Sequence, residues 1–140
     1  MGKMTLKDIV FDLWIRVNSL FMDHVARLLI YLVDQLKEVV YSDISKIIQR
    51  VEKPKGLPKI LNDFELLGFP QGRHYVNEKL RKKMIEVINN GYINCGERFL
   101  YITDNGYEKI KGWIRPRAYN QLIINIFKYK TEEENGETKR

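Results

Sequence analysis

The residues best suited to chemistry are cations that cluster on one short predicted helix. Lys79, Arg81, Lys82 and Lys83 follow each other closely, and Asn89 lies further along the same segment. At about 100° per residue, Lys79, Lys82, Glu86 and Asn89 share the polar face, while Arg81 and Lys83 flank it. The opposite side is a predicted buried stripe of Leu80, Met84, Val87 and Ile88. Cations on such a face can bind phosphates, and an asparagine can hydrogen-bond to a base edge. An ordinary solvated helix face has the same composition, so the pattern alone leaves both interpretations open.

The other reactive side chains are isolated. His24 and His74 have no second histidine, cysteine or carboxylate cluster beside them, so metal ligation is not expected. Cys95 is the single cysteine and excludes an internal disulfide; its thiol is predicted to be exposed, and either redox-reactive or a bystander. The sequence also lacks Walker and dinucleotide motifs and a Ser/His/Asp arrangement. We therefore expect no enzyme activity, metal or cofactor.

The positive charge is concentrated in one part of the chain. The 140 residues have a formal net charge of +6. Residues 51–130 contain fifteen basic and eight acidic residues, whereas residues 1–50 are nearly balanced. Basic character of this kind is one footprint of a nucleic-acid-binding protein. Residues 131–140 contain no apolar side chain and are predicted to be a disordered acidic and polar tail.

Length and hydropathy favour a single domain over residues 1–130. A chain of 140 residues with 44% hydrophobic residues can bury one substantial core. The longest unbroken apolar run, residues 28–33, is far shorter than the roughly 20 residues that span a bilayer, and no signal peptide is apparent. We therefore expect a cytoplasmic protein without a membrane partner.

The first third of the chain is predicted to be helical. Apolar residues between positions 6 and 36 recur with a helical period, which indicates one long helix or two helices that meet near Asn18 and Ser19. The apolar stripe is either core or partly the seam of a dimer. Ser42 is the predicted N-cap of a short helix over residues 43–50.

Breakers divide the rest of the chain into short elements. The predicted order begins with a linker at 52–56, a helix at 58–67 ending at Gly68, and a loop at 69–76 with a short extended piece. The basic helix then runs from its N-cap Asn77 to Asn90 and is followed by a hairpin with its turn at 95–97 and Arg98 at its tip. The next helix is capped by Thr103 or Asp104 and has Tyr107, Ile110, Trp113 and Ile114 inside, and after Pro116 a last amphipathic helix buries Tyr119, Leu122, Ile123, Ile126 and Phe127.

Three pieces of this order carry a resemblance to a known family. Residues 60–69 look like the first helix of a helix-turn-helix, and residues 77–93 look like a recognition helix that leads into the first strand of a wing. Residues 99–107 look like the second wing strand followed by a Thr-Asp-x-Gly helix start. Together, residues 57–113 resemble the winged helix-turn-helix domains of MarR-like and PadR-like transcriptional regulators.

One departure from the family leaves the register of the helix pair open. The family joins its two helices by a turn of a few residues, whereas residues 69–76 separate Gly68 from Asn77. Either this turn carries an insertion, or the first helix is 43–50 and residues 51–76 are inserted, or residues 60–67 are themselves the recognition helix. We favour the first register because it alone keeps the resembling pieces adjacent.

The resemblance implies a mainly α-helical winged helix-turn-helix fold with a small β wing and additional N-terminal and C-terminal helices. It implies sequence-specific binding of double-stranded DNA by a homodimeric transcription regulator, whose terminal helices form the dimer. A winged-helix adaptor that binds protein without reading DNA is the alternative, and a nucleic-acid enzyme ranks below both. The predicted DNA contacts are Arg73, Lys79, Arg81, Lys82, Lys83, Asn89 and Arg98.

Overall fold

The fold is mainly helical, with two small antiparallel β-hairpins. A computed structural model describes residues 5–10 and 23–138 of the chain. Residues 6–10 are helical, and none of the described helices is long and apolar enough to span a bilayer. The elements that follow are α1 (His24–Leu36), α2 (Tyr41–Arg50), a 3-10 turn (Lys59–Asn62), β1 (Glu65–Phe69), β2 (Gly72–Val76), α3 (Glu78–Asn89), β3 (Ile93–Cys95), β4 (Leu100–Ile102), α4 (Asp104–Ile110) and α5 (Arg117–Thr138).

Helix α1 is the centre of the core. Its apolar residues include Leu28, Leu29 and Leu32, which are fully buried, and it packs against α3, α4 and β4. The helix begins at His24, because the Asp23 carboxylate accepts a hydrogen bond of 2.7 Å from the Val25 amide. A single helix over positions 6–36 is therefore wrong, while Asn18 and Ser19 lie outside the described residues.

A sharp turn after α1 joins the helices to the second hairpin. Lys37 and Glu38 both have positive φ, a backbone conformation that non-glycine residues rarely adopt. The turn brings Val39 beside Leu100, where the two form an antiparallel bridge and the Leu100 amide donates to the Val39 carbonyl at 2.8 Å. Strand β4 in turn pairs with β3, so three extended segments lie side by side.

Helix α2 confirms the predicted short helix but begins earlier than expected. It starts at Tyr41 with Val40 as its N-cap and without a side-chain cap, so the prediction of Ser42 as the cap is wrong. Ile44, Ile47 and Ile48 face the core and hold the helix in place without a cap. Helix α2 contacts α3 and also α5.

Residues 58–67 do not form the predicted α-helix. Lys59–Asn62 is one 3-10 turn and Glu65–Phe69 is strand β1, so Gly68 lies inside a strand. Strand β1 pairs with β2, and the two are joined by a two-residue turn at Pro70 and Gln71. Strand β2 therefore occupies most of the predicted loop. Gly72 closes this connection with φ 128°, a conformation that favours glycine. The apolar residues of this segment have helical spacing, but the Pro70-Gln71-Gly72 sequence favours a tight turn, and a hairpin forms instead of a helix.

Helix α4 confirms the predicted cap but not all of the predicted interior. The Thr103 hydroxyl accepts a hydrogen bond of 3.0 Å from the Gly106 amide, so Thr103 is the N-cap. The helix ends at Ile110, which is buried. Tyr107 and Ile114 are exposed, Ile114 to 93%, and predicting them in the interior was wrong. The cause for Ile114 is that the helix stops before it, so the helical spacing no longer applies.

Helix α5 is longer than expected. Tyr119, Leu122, Ile123 and Ile126 are buried as predicted, whereas Phe127 is 41% exposed. The helix continues to Thr138, where the sequence predicts a disordered tail. The Tyr129 hydroxyl donates to the Glu133 carboxylate at 2.8 Å, and Arg50 lies 3.8 Å from the same carboxylate. The Arg50 guanidinium also donates to the Tyr129 hydroxyl at 3.3 Å, so Arg50 links α2 to the later turns of α5.

The ion pair between Asp23 and Lys83 gives a pH-dependent prediction. Burial opposes ionisation of Asp23, but hydrogen bonds from Lys83 at 2.9 Å and from the Val25 amide prevail, and its pKa is lowered. Because the pKa of Asp23 is lower in the folded state, the ionised carboxylate stabilises the protein above about pH 5. This stabilisation is lost as the pH falls through the lowered pKa. We expect Asp23→Asn, which retains a capping side chain, to reduce stability by less than about 1 kcal/mol at neutral pH. Urea unfolding of both proteins should show the difference at pH 7 and none well below the lowered pKa.

Candidate nucleic-acid interface

The exposed face of α3 brings together three of the predicted contact residues. Leu80, Met84 and Val87 of the predicted stripe are buried, whereas Ile88 is only half-buried. Lys79, Lys82 and Asn89 are exposed on the opposite side. The same face also carries Glu78, Glu86 and Ile85, which is 41% exposed. It is therefore a mixed face of cations, amide, carboxylates and one apolar side chain.

Several cations of α3 are engaged within the protein. Lys79 lies 3.1 Å from Asp63, and Arg81 lies 2.9 Å from Glu78. These pairs are exposed, so they are weak and can exchange for an external phosphate. Within the described ranges, Lys82 has no carboxylate within ion-pair distance.

Lys83 differs from the other cations of α3. Its side chain is only 22% exposed and lies 2.9 Å from Asp23 and 3.0 Å from Glu86. Hydrogen bonds to these two carboxylates, the one to Asp23 first, raise its pKa. Lys83 therefore ties α3 to the start of α1, and we place it in the scaffold of the interface rather than on its surface.

Asn77 fixes where α3 begins and how it is oriented. The side chain is 2% exposed, and its oxygen accepts a hydrogen bond of 3.1 Å from the Leu80 amide. The side-chain nitrogen of Asn77 donates to the Ile60 carbonyl at 2.6 Å. The backbone carbonyl of Asn77 accepts a hydrogen bond of 3.3 Å from the Tyr41 hydroxyl. Burial is the largest influence on Tyr41 and raises its pKa, so the hydroxyl stays protonated as a donor. One residue thus connects α3 to α2 and to the 3-10 turn.

The second hairpin carries Arg98 in its turn. Strands β3 and β4 are joined by residues 96–99, and Arg98 is exposed in this turn, as predicted, with its guanidinium 5.4 Å from the Phe99 ring. Cys95 at the end of β3 is exposed and free. Strand β3 contacts α3, and its Ile93 is buried in the core.

A groove of about 640 Å³ lies beside α3 and was not predicted. Its walls are one face of α2, the four residues 73–76 of β2, and the first turn of α3. It contains two of the predicted contacts, Arg73 and Arg81, and adds Lys46 and Tyr41. No sequence signal identifies this groove, because it exists only once β2 folds back against α2.

The histidines do not form a metal site. Within the described residues, no group of three or more histidine, cysteine or carboxylate side chains could hold a metal ion. His24 lies among aromatic rings, 6.4 Å from Trp113 and 6.2 Å from Tyr119 between centroids. His74 lies in β2 beside Phe69, at 5.8 Å. Both positions are explained by ring packing.

Comparison with protein-family models, with curated proteins and with solved structures finds no match to the chain.

Proposed function

We propose that the chain is a winged helix-turn-helix protein that binds double-stranded DNA and regulates transcription. The observation that carries the proposal is the bridge between Val39 and Leu100. It joins the segment between α1 and α2 to the β3–β4 hairpin, which follows α3. Three helices closed by a small sheet in this order correspond to the winged arrangement, with α3 as recognition helix and β3–β4 as wing.

In this proposal the helix pair is α2 and α3, and residues 51–76 are an insertion between them. The registers that need a helix at 60–67 are wrong, because those residues form a 3-10 turn and β1. The similarity to the regulator family then extends from α1 to α4, well beyond the predicted core of 57–113. Tyr41 and Asn77 support the pairing, since their hydrogen bond of 3.3 Å connects the two helices directly.

The DNA-binding face combines Lys79, Lys82 and Asn89 of α3 with Arg98 of the wing. Lysines on such a face hold phosphates and set the register. Asn89 is the amide on this face that is suited to a base edge, but it lies at the C-terminal end of α3, whereas base contacts favour the N-terminal part. Ile85 is suited to the methyl group of thymine, a contact that the sequence did not reveal. Arg73 and Arg81 lie to the side of this face, in the groove.

A homodimer is part of the proposal. Helix α5 exposes Ile124 and Phe127, and residues 6–10 expose Leu6, Ile9 and Val10. Apolar side chains grouped on terminal helices are typical of an interface between subunits. Two copies would present two recognition helices to successive major grooves, about 34 Å apart.

A protein-binding adaptor is the second candidate. The observation that favours it is the composition of α3, whose exposed face includes Glu78, Glu86 and Ile85 and whose cations are largely paired. An apolar residue ringed by both signs of charge suits a protein partner as well as a duplex. The two candidates differ in their response to salt and to removal of lysine charge.

Replacing Lys79 and Lys82 together by Ala tests the DNA-binding face. We expect duplex affinity to fall on the order of tenfold or more at about 50 mM salt, and the salt dependence to weaken by about one unit of slope for each phosphate that the variant no longer neutralises. Fluorescence anisotropy with a labelled duplex pool measures both. The matched control is Lys55→Ala with Lys111→Ala, which removes two exposed lysines outside this face. Equal losses in the two double variants would mean that α3 is not the recognition helix.

A further inference from the structure

The insertion between α2 and α3 encloses one side of the groove described above. The turn of the β1–β2 hairpin lies at Pro70 and Gln71, and Val76 leads directly into Asn77 and α3. Both strands are largely exposed along their length. The hairpin therefore projects from the surface at the N-terminal end of the proposed recognition helix, which is the end that enters the major groove.

One edge of β2 has no strand partner among the described residues. In the described part of the chain β2 pairs only with β1, and residues 73–76 all line the groove. Opposed residues in an antiparallel ladder alternate between hydrogen-bonded and non-hydrogen-bonded pairs, so every second residue of β2 directs its backbone N–H and C=O to this edge. An extended anionic chain laid along the groove would find amide donors there.

Cations lie on both walls of the groove. Lys46 projects from α2 and Arg73 from β2, both are exposed, and neither has an ion pair with a described carboxylate. Ser42 and Ser45 add hydroxyl groups on the α2 wall. The carboxylate of Glu78 is held by Arg81 at 2.9 Å, so its charge is largely neutralised. The groove thus offers an excess of positive charge and neutral donors to an elongated ligand.

The groove is continuous with the DNA-binding face of α3. Glu78 and Arg81, on the first turns of α3, form the border between the two surfaces. In a bound helix-turn-helix the first helix of the pair crosses the phosphate backbone at the rim of the major groove. Here α2 is that helix, and its exposed face is a wall of the groove.

From this arrangement we infer that the groove between α2 and the inserted hairpin binds the phosphate backbone of the DNA strand at the rim of the major groove that α3 enters. The inference rests on the proposed DNA binding. The occupant is a sugar–phosphate chain rather than an acidic peptide, because the groove continues a surface that is itself suited to a duplex. Lys46 and Arg73 contact phosphates from opposite sides, which makes the inserted hairpin an arm that clamps the strand.

The test is the double variant Lys46→Ala with Arg73→Ala, measured against a labelled duplex pool over a range of salt concentrations. We expect affinity at about 50 mM salt to fall at least about tenfold and the slope of log affinity against log salt to become shallower by about two. The charge-conserving variant Lys46→Arg with Arg73→Lys should retain the wild-type slope. The control is Lys55→Ala with Lys111→Ala, which removes the same charge from exposed positions outside the groove, the α3 face and α5.

The outcomes separate this inference from the proposed function. In one outcome, wild-type protein binds duplex, the Lys79 and Lys82 variant binds more weakly, and the Lys46 and Arg73 variant binds like wild type. The groove then does not hold DNA, and the inference is overturned while the DNA-binding function stands. Equal weakening by the groove variant and by the Lys55 and Lys111 control also overturns it, since only net charge would then matter. If wild-type protein binds no duplex, the proposed function fails and the inference fails with it. Equal thermal melting of all variants establishes that differences in affinity are not differences in folding.

Discussion

Replacing Gly106 by Ala is expected to destabilise the protein by about 3 kcal/mol and to lower its Tm by roughly 10 °C. A Cβ at this position would overlap the carbonyl oxygen of Tyr92 and would also approach the side chain of Ile30. The Tyr92 carbonyl cannot move freely, because it accepts a hydrogen bond of 3.1 Å from the Thr103 amide. The Thr103 hydroxyl further fixes this turn by donating to the Gly91 carbonyl at 2.6 Å. The overlap therefore has to be relieved by separating α4 from the end of α3.

Gly106→Ala is informative because we expect it to lower the stability of the protein rather than raise it. Elsewhere in a helix this substitution stabilises a protein by about 0.5–1 kcal/mol, because alanine loses less backbone entropy on folding. Gly136 in α5 provides the control, since a Cβ there would meet no atom within 4 Å. Thermal unfolding by circular dichroism should show a lower Tm for Gly106→Ala and an unchanged or higher one for Gly136→Ala. A Gly106 variant as stable as wild type would contradict the described packing of α4 on Tyr92.

Replacing Asn77 by Ala is expected to cost about 2 kcal/mol of stability. About half of this comes from removal of the cap, since the Leu80 amide would have no acceptor at the start of α3. The rest of the loss in stability comes from removal of the hydrogen bond between the Asn77 side chain and the Ile60 carbonyl. In the variant this carbonyl accepts only from the Asp63 amide. Because the Asn77 side chain also links the start of α3 to the 3-10 turn, duplex affinity should fall in the same variant under conditions where it is still folded.

Asn89→Ala is the matched control for stability, because Asn89 is an exposed asparagine on the same helix. We expect its free energy of unfolding to lie within about 0.5 kcal/mol of that of wild type. Urea unfolding monitored by circular dichroism gives both free energies of unfolding. If Asn77→Ala and Asn89→Ala were equally stable, Asn77 would not be the cap and link that its hydrogen bonds indicate.

The sequence predicted best those elements whose local signals agree with their burial. Asn77, Leu80, Met84 and Val87 defined α3, because the cap and the apolar stripe point to the same helix. Thr103, one of the two predicted caps, is the N-cap of α4. The β3–β4 hairpin followed from the change in period after Gly91 and from its turn residues. Each of these depends on contacts between residues close in sequence.

The β1–β2 hairpin was missed for the opposite reason. Leu61, Phe64 and Leu67 are spaced as on a helix, but only Leu61 is fully buried. Leu67 instead lies opposite His74 in a ladder whose register depends on the turn at Pro70 and Gln71. Short apolar segments do not distinguish helix from strand, so the pairing partner decides.

The candidate site was predicted only in part because its groove depends on the missed hairpin. Lys79, Lys82 and Asn89 share a face for reasons of helical geometry alone, and the sequence identified them. Lys46 and Arg73 are 27 positions apart and meet across a groove that no periodicity indicates. Likewise, the role of Lys83 is set by Asp23, a residue distant in sequence whose position depends on the packing of α1 on α3.

The most direct test of DNA binding is the affinity of the wild-type chain for duplex DNA at two salt concentrations. With about six phosphate contacts, duplex affinity should fall by about a thousandfold between about 50 mM and 200 mM salt. Fluorescence anisotropy with a random-sequence duplex pool measures this without knowledge of an operator. A steep decrease of affinity with salt is the predicted result. No measurable duplex binding at the lower salt concentration would contradict DNA binding and would favour the protein-binding adaptor.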